Sequence, residues 1–488
     1  VRRAGAPVAA LFCALLATPS GAANLRTAPN PRDAPNPRGA PISALDLIEL
    51  QISYTTMLAR YYLPVAPRTL VDGARTGIAA ELVARGVRGA RLPFTPARVD
   101  ASQGSDAVDD MVLRSLARYG SRLDGHRLVE AAVAGELSSV RDPYTLIFQP
   151  PQFKKFNAFL GNETFGGIGV VLDFDAAGGR ATIERVLPGS AAGTAGLRAG
   201  DALVAVDGRP LAGLGGAAVR DALRGRVGTT VRVDVARDGV VTSYALVRAQ
   251  VRDPEVRSAR FGATGYLALS RFGSGAGSEL TSALADLTRQ GARAFILDLR
   301  GNGGGYGDQA TSVASAFIAS GPIFTVRERQ GVTSVARAAG GSTFHAPLVV
   351  LVDGDTASAA EIVAGAIQDD RVGTVLGTRT FGKGLVQSVF PLPDGSAIKM
   401  TTARYTTPKG RDIDRIGIEP DIVVAQPPGA RLGDPAADPQ LARALAILSS
   451  PAAGTPVPAA ASALPTAAAS SALPAAAAAS ALPSAVPP

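Results

Sequence analysis

Cysteine is almost missing from this 488-residue chain, and the single one, Cys13, lies in an apolar stretch near its start. A disulfide framework, a thiol nucleophile and a cysteine-based metal site are therefore excluded from the rest of the chain. Tryptophan is absent and aromatic residues make up only 5%, so no basic segment carries interleaved rings on which bases could stack. The net charge of +8 comes almost wholly from arginines scattered singly along the sequence. Without a basic stripe, no nucleic-acid partner is expected. No run reaches the ~18 apolar residues that span a bilayer. The two histidines, His126 and His345, stand in no triad-like or HExxH context. No Asp/Glu/His group stands at ligand spacing either, so neither a metal nor a cofactor is expected. Lysine is scarce too, at positions 154, 155, 383, 399 and 409 only. Arginine keeps its proton in a protein. A reaction that needs a neutral amine thus has few places to find one.

What is present falls into blocks. Arg2 and Arg3, the apolar Val8–Ala17 and the small residues Pro19–Ala23 have the form of an export signal over 1–23. Residues 24–41 are a Pro/Asn-rich spacer that can form neither helix nor sheet. From 42 to 160 apolar residues recur at helical spacing, with Ala44–Arg60 strongly amphipathic. Segments 70–82 and 128–140 resemble each other and read as helices that can pair, with a loop over Arg91–Asp106 between them. From 161 to 251 the period changes to two, in short strands interrupted by one helix at Gly216–Arg224. From 252 to 425 buried-strand runs such as YLALSRF, AFILDLR and PLVVLVDG alternate with Gly-rich turns and helices, which is α/β construction. A short helix is expected at Pro439–Leu448 within 426–450, and 451–488 is an Ala/Pro/Ser tail with nothing to bury, read as disordered.

The strand-rich block opens with Phe165-Gly166-Gly167-Ile168-Gly169-Val170. Glycines let successive N–H groups converge into a nest that can hold a carboxylate. A strand edge beside it can add a peptide as an extra strand. Residues 186–208, VLPGSAAGTAGLRAGDALVAVDG, resemble the signature stretch of PDZ domains. That resemblance implies a peptide groove built from Gly167, Ile168, Gly169 and Val170, with Val219 and Leu223 of the helix alongside.

Three segments of the α/β block carry candidate chemistry. DLRGNGGG, 298–305, follows a buried strand and exposes N–H groups suited to a phosphate or an oxyanion. It lacks the spacing of a P-loop or a dinucleotide site. In Asp353–Ile362 a strand ends and a helix begins near Ser358. Ser358 can be a simple N-cap with Glu361 as its capping-box partner. It can equally be a nucleophile, with the Ala359 N–H beside it for an oxyanion. In the third, Lys383 lies between Gly382 and Gly384 beside an apolar strand. It can be a solvated surface lysine. As a base near neutrality it would need burial to lower its ordinary pKa of about 10.4 by roughly 3 units, about 4 kcal/mol. It could then take the Ser358 proton and return it to a leaving amine.

Taken in order, AGELSSVRDPYT, FGGIGV, DLRGNGGG, TASAAEIVAGAIQDD, GTRTFGKGLVQS, TTARYTTPKGRDID and GIEPDI resemble the carboxyl-terminal processing proteases (tail-specific proteases, peptidase family S41) from about Gly135 to Ile422. The resemblance implies Ser358 as nucleophile, Lys383 as general base and Gln387 as the residue that orients the lysine. It also implies N–H groups of Ala359 and the Gly304 region as the oxyanion hole. Ala360, Asp353 and Gly303 depart from residues common in the family, outside the proposed dyad. The fold class expected is multidomain α/β: a helical N-terminal region, a PDZ β-module and an S41 core. The function expected is an exported, periplasmic serine endopeptidase that binds apolar, flexible protein C-termini and cuts near them, with a homo-oligomer or an adaptor as further partners. The competing reading is a catalytically silent PDZ scaffold.

Overall fold

The computed structural model describes residues 42–449 except 94–97, 162–164, 175–180, 188, 253, 330, 332, 428–429 and 431. The export signal, the spacer and the tail expected at 1–23, 24–41 and 451–488 lie outside the described residues.

The helical region consists of α1 (Ala44–Arg60), α2 (Pro67–Ala84), α3 (Ala101–Tyr119) and α4 (Gly125–Ser139). Helices α2 and α4, the two similar segments, are a pair. A Cβ on Gly77 would sit 1.8 Å from Ala131 O, and one on Gly73 2.5 Å from Gly135 O, so only glycine permits this crossing. The loop expected over Arg91–Asp106 is shorter than that, because α3 begins at Ala101. The Asp100 side chain accepts from Gln103 N while Gln103 accepts from Asp100 N, a reciprocal cap that ends the loop. Next come β1 (Leu146–Phe148) and α5 (Pro150–Gly161).

The β-module holds β2 (Phe165–Gly167), β3 (Val170–Phe174), β4 (Ala181–Val186), α6 (Ala191–Thr194), β5 (Ala202–Val206), β6 (Arg209–Pro210), α7 (Gly216–Leu223), β7 (Thr230–Arg237), β8 (Val240–Val247) and β9 (Ala249–Val251). Its sheet runs β3-β4-β5-β7-β8, while β2 and β9 pair where the chain enters and leaves.

The remaining elements are β10 (Val256–Phe261), β11 (Thr264–Leu269), α8 (Ala276–Arg289), β12 (Ala294–Asp298), α9 (Gly307–Ser315), β13 (Pro322–Glu328), β14 (Thr333–Arg337), β15 (Leu348–Val352), α10 (Ala359–Asp369), β16 (Thr374–Gly377), β17 (Leu385–Pro391), β18 (Ala397–Thr406), β19 (Ile422–Val423) and α11 (Pro439–Ser449). One sheet runs β10-β11-β12-β15-β16-β19, parallel from β11 onward. Strands β12 and β15 are buried at every position, as apolar runs in a covered parallel sheet must be. Helix α10 is apolar almost all round and lies in the core, where each of Ile362, Val363 and Ile367 contributes about 1.5–3 kcal/mol.

Two boundaries expected from the sequence differ in the structure. Strand β1 pairs with β18, and Ile398 and Met400 of β18 join the core of the helical region, so residues 42–160 do not form a closed unit. Helix α11 packs through Leu441 and Ala444 on Ile296, Val349 and Leu376, which makes it part of the α/β core. Sequence breakers mark where a segment ends and not what it packs against. No helix among the described residues is long and apolar enough to cross a membrane.

Candidate active site

Strands β12, β15 and β16 are adjacent and parallel, so the turns leaving their carboxyl ends lie side by side. Those turns carry Gly304, Ser358 and Lys383. This is the edge of an open α/β sheet at which ligands bind.

The first turn divides by role. In its DLR half, the buried Arg300 guanidinium donates to both Asp298 oxygens, both Asp438 oxygens and Gln440 Oε1 at 2.5–3.0 Å. Tyr266 adds a hydrogen bond to Asp298. This half fastens α11 to β12 and leaves no donor for a ligand's oxyanion. Burial pushes the Asp438 carboxyl up, but the Arg300, Leu441 and Gly433 hydrogen bonds outweigh it and bring the pKa down to about 2. The NGGG half reaches the site. Gly304 has φ +100°, and a Cβ there would lie 2.8 Å from Ser358 Cβ and 3.0 Å from Ala359 N, so a side chain is excluded.

Ser358 is the N-cap of α10 with φ 59° and ψ −118°. A non-glycine residue in this region stores about 1–3 kcal/mol of backbone strain. It is fully buried, and its Oγ has no hydrogen-bond partner among the described residues. Glu361 therefore serves the cap from its own side: its Oε2 accepts from Ser358 N at 2.8 Å. The same oxygen accepts from Lys383 N at 2.9 Å, and Oε1 accepts from Thr380 Oγ1 at 2.5 Å and Gly382 N at 2.7 Å. Burial lifts the Glu361 carboxyl above its ordinary range and these four donors oppose the rise. On the carbonyl side, Tyr405 Oη lies 2.7 Å from Lys383 O and 3.1 Å from Ser358 O, its one proton shared between them. The two residues, 25 positions apart, are thus stitched together through both their N–H and C=O groups.

Lys383 is fully buried, with its Nζ 4.6 Å from the Tyr144 ring centroid. Its neighbour Gly384 admits the 412–416 loop, since a Cβ would lie 2.8 Å from Asp414 N. Gln387, on β17, is buried as well; its Nε2 reaches Thr401 Oγ1 at 3.4 Å and its Oε1 has no partner among the described residues. Lysine scarcity would not have singled out Lys383, because Lys399 is also buried, under the Phe148 ring. The tie through Glu361 separates the two. Ala359 N opens α10 against Gly304, whereas Gly304 N itself donates to Asn302 Oδ1 at 2.9 Å. The buried Asn302 also donates to Leu269 O and accepts from Ala357 N, so it holds the glycine turn against the serine turn. Glu361, Tyr405, Asn302 and Tyr144 were missed as site residues. In the sequence Glu361 reads only as a cap partner, and the rest lie inside motifs with no local signal of a role.

In the β-module, Ile168, Val219 and Leu223 lie together in the buried core and Val170 is half-buried beside them. Gly167 pairs with Ala249, and Gly169 has φ +79° with its carbonyl accepting from Leu187 N. Strand β3 is terminal in its sheet.

His126 is not isolated, as its sequence surroundings had implied. Asp46, Glu49, Glu130 and Asp394 gather around it from α1, α4 and the β17–β18 turn. Hydrogen bonding to Glu130 leads the causes that raise its pKa to about 9, while burial raises Glu49 to about 7.

A family model described as Peptidase family S41 matches residues 263–424, and one described as PDZ domain matches 182–237. The carboxyl-terminal-processing protease of Picosynechococcus is 36% identical over 304 residues, 61% of this chain and 73% of that protein. The carboxy-terminal-processing protease of Bartonella bacilliformis is 36% identical over 328 residues, 65% of this chain and 74% of that one. Among solved structures, a photosystem II D1 C-terminal processing protease aligns over 84% of this chain and 99% of its own, with 26% identity and a TM-score of 0.45.

Proposed function

This chain belongs to peptidase family S41 as a carboxyl-terminal processing protease with a PDZ domain, and on that premise we propose that it cleaves proteins near their C-termini through a Ser358/Lys383 dyad. The observation that carries the reading is the Glu361 oxygen that accepts the N–H of both residues. A merely structural cap has no need of a second chain segment on that oxygen.

In this reading Lys383 Nζ takes the proton from Ser358 Oγ as that oxygen attacks the scissile carbonyl. The oxyanion that forms is met by Ala359 N–H and by an N–H of the turn around Gly304, once Gly304 N leaves Asn302. Lysinium then protonates the leaving amine, giving an acyl-enzyme that water hydrolyses with Lys383 again as base. Burial of Lys383 favours the neutral amine this requires. Gln387 orients the lysine. The PDZ domain supplies the substrate grip: β3, terminal in its sheet among the described residues, adds the tail as a strand, and the Gly167–Val170 nest takes its carboxylate. The basic Arg2–Arg3 and apolar Val8–Ala17 stretch supports export, with a periplasmic site of action.

The test compares wild type, Ser358→Ala and Lys383→Ala on a protein with a flexible apolar C-terminus. Cleavage by wild type alone is expected, with slower cleavage when that C-terminus is amidated. Equal cleavage by all three, or none by wild type, removes the dyad; indifference to amidation removes tail capture.

A further inference from the structure

The RDPYT turn, Arg141–Thr145, joins α4 to β1 and belongs to a motif that the dyad leaves without a task. Tertiary folding brings it onto the site from two directions. The Tyr144 ring centroid lies 4.6 Å from Lys383 Nζ. Asp142 Oδ2 accepts from Thr401 Oγ1 at 2.6 Å and from Thr145 Oγ1 at 2.7 Å, while its Oδ1 accepts from Tyr144 N at 2.9 Å. Thr401 Oγ1 in turn receives Gln387 Nε2 at 3.4 Å. One carboxylate thus sets both the backbone that aims the ring at Lys383 and the threonine that meets Gln387.

We propose that Tyr144 is a positioning residue for Lys383, its ring face receiving the ammonium form while Asp142 holds the ring in place. This rests on the reading of Lys383 as general base. That base must carry a proton for part of each turnover and release it in the next part. A carboxylate against Nζ would stabilise the ammonium strongly and keep the proton there. An aromatic face attracts a cation more weakly, enough to steady the charged form without trapping it. The ionisable groups around the ring are Asp142 on its own turn, Glu361 from α10, and Asp414 and Arg415 from the loop after β18. Glu361 is occupied by four donors, and Asp414 and Arg415 oppose each other.

The experiment measures kcat/KM against pH for the full chain as wild type, Tyr144→Phe and Tyr144→Leu, on a protein with a flexible apolar tail. Phenylalanine keeps the face, so its acid limb should coincide with wild type. Leucine keeps an apolar cover but lacks the face; the lysine then holds its proton less well, and the acid limb should move down by about 0.5–1.5 pH units. A Leu profile superposed on wild type, or a Phe profile displaced as far as Leu, overturns the proposal. If Tyr144→Leu melts below the assay temperature, Tyr144→Met carries the same comparison. Lys383→Ala is run alongside. If it stays active the dyad itself fails, whereas an inactive Lys383→Ala with an unmoved Leu profile removes Tyr144 alone.

Discussion

Two buried polar centres stand at the carboxyl ends of the same parallel strands, and they are built on opposite principles. Around Arg300 every guanidinium nitrogen has an acceptor, shared among Asp298, Asp438 and Gln440. Around Ser358 the backbone is tied down by Glu361 and Tyr405, yet Ser358 Oγ and Gln387 Oε1 have no partner among the described residues. Leaving buried polar atoms unpaired costs about 1–3 kcal/mol each. The Arg300 centre is satisfied through its side chain and the Ser358 centre is fixed through its backbone, and DLRGNGGG contributes to both.

The sharpest way to break this comparison is to disable each centre in turn. Ser358→Ala is expected to lower kcat/KM by about 10⁴-fold or more while leaving the unfolding midpoint unchanged or slightly raised. Arg300→Met should do the reverse in kind. It strands the buried Asp298 and Asp438 carboxylates and should cost about 3–5 kcal/mol of stability, read by denaturant unfolding. A destabilised Ser358→Ala, or a fully stable Arg300→Met, would collapse the distinction. A smaller effect is expected from Glu361→Gln, which keeps shape but turns an amide N–H₂ toward the N–H donors of Ser358 and Lys383 or toward that of Gly382. Misplacing the pair should lower kcat by about 10²-fold with KM nearly unchanged; a rise in KM alone would show that Glu361 acts on binding.

The smallest effect concerns the third polar cluster, at the joint of α1, α4 and the β17–β18 turn. His126 is raised from 6.5 to about 9 in the fold, so its stabilisation is full below pH 6.5 and lost as pH rises through 9. Glu49 is raised from 4.5 to about 7, so it too contributes most below pH 4.5 and loses that contribution through pH 7. Both slopes have the same sign. Thermal midpoints should fall gradually between pH 5 and 9, with Glu49→Gln flattening the lower part and His126→Asn the upper. A midpoint that rises with pH over this range would show that these groups do not govern it.

Much of this architecture is legible along the chain. The helix α1, the spans of β12 and β15, and the start of α10 follow from periodicity and caps, which act over a few residues. The start of α3 is also written locally, in the Asp100/Gln103 box, but the loop-like composition before it masks that signal. Ser358 and Lys383 could be nominated because their motifs stand in order, with Gly304, Gln387 and Ala359 carried by the same resemblance. Glu361 looked like an ordinary cap residue, since nothing local announces that its carboxylate also holds Lys383 N. His126 looked isolated because its carboxylates come from positions 46, 49 and 394 as well as 130.

The order of residues therefore determined the element types, the PDZ module and the ordered motifs from which a serine and a lysine could be nominated. It could not say that β12, β15 and β16 are neighbours, that RDPYT folds over Lys383, or that α11 belongs to the core. Those outcomes depend on pairing and packing between segments tens to hundreds of residues apart. Their free energy comes from burying shared surfaces and satisfying shared polar groups, and no short window of sequence contains both partners.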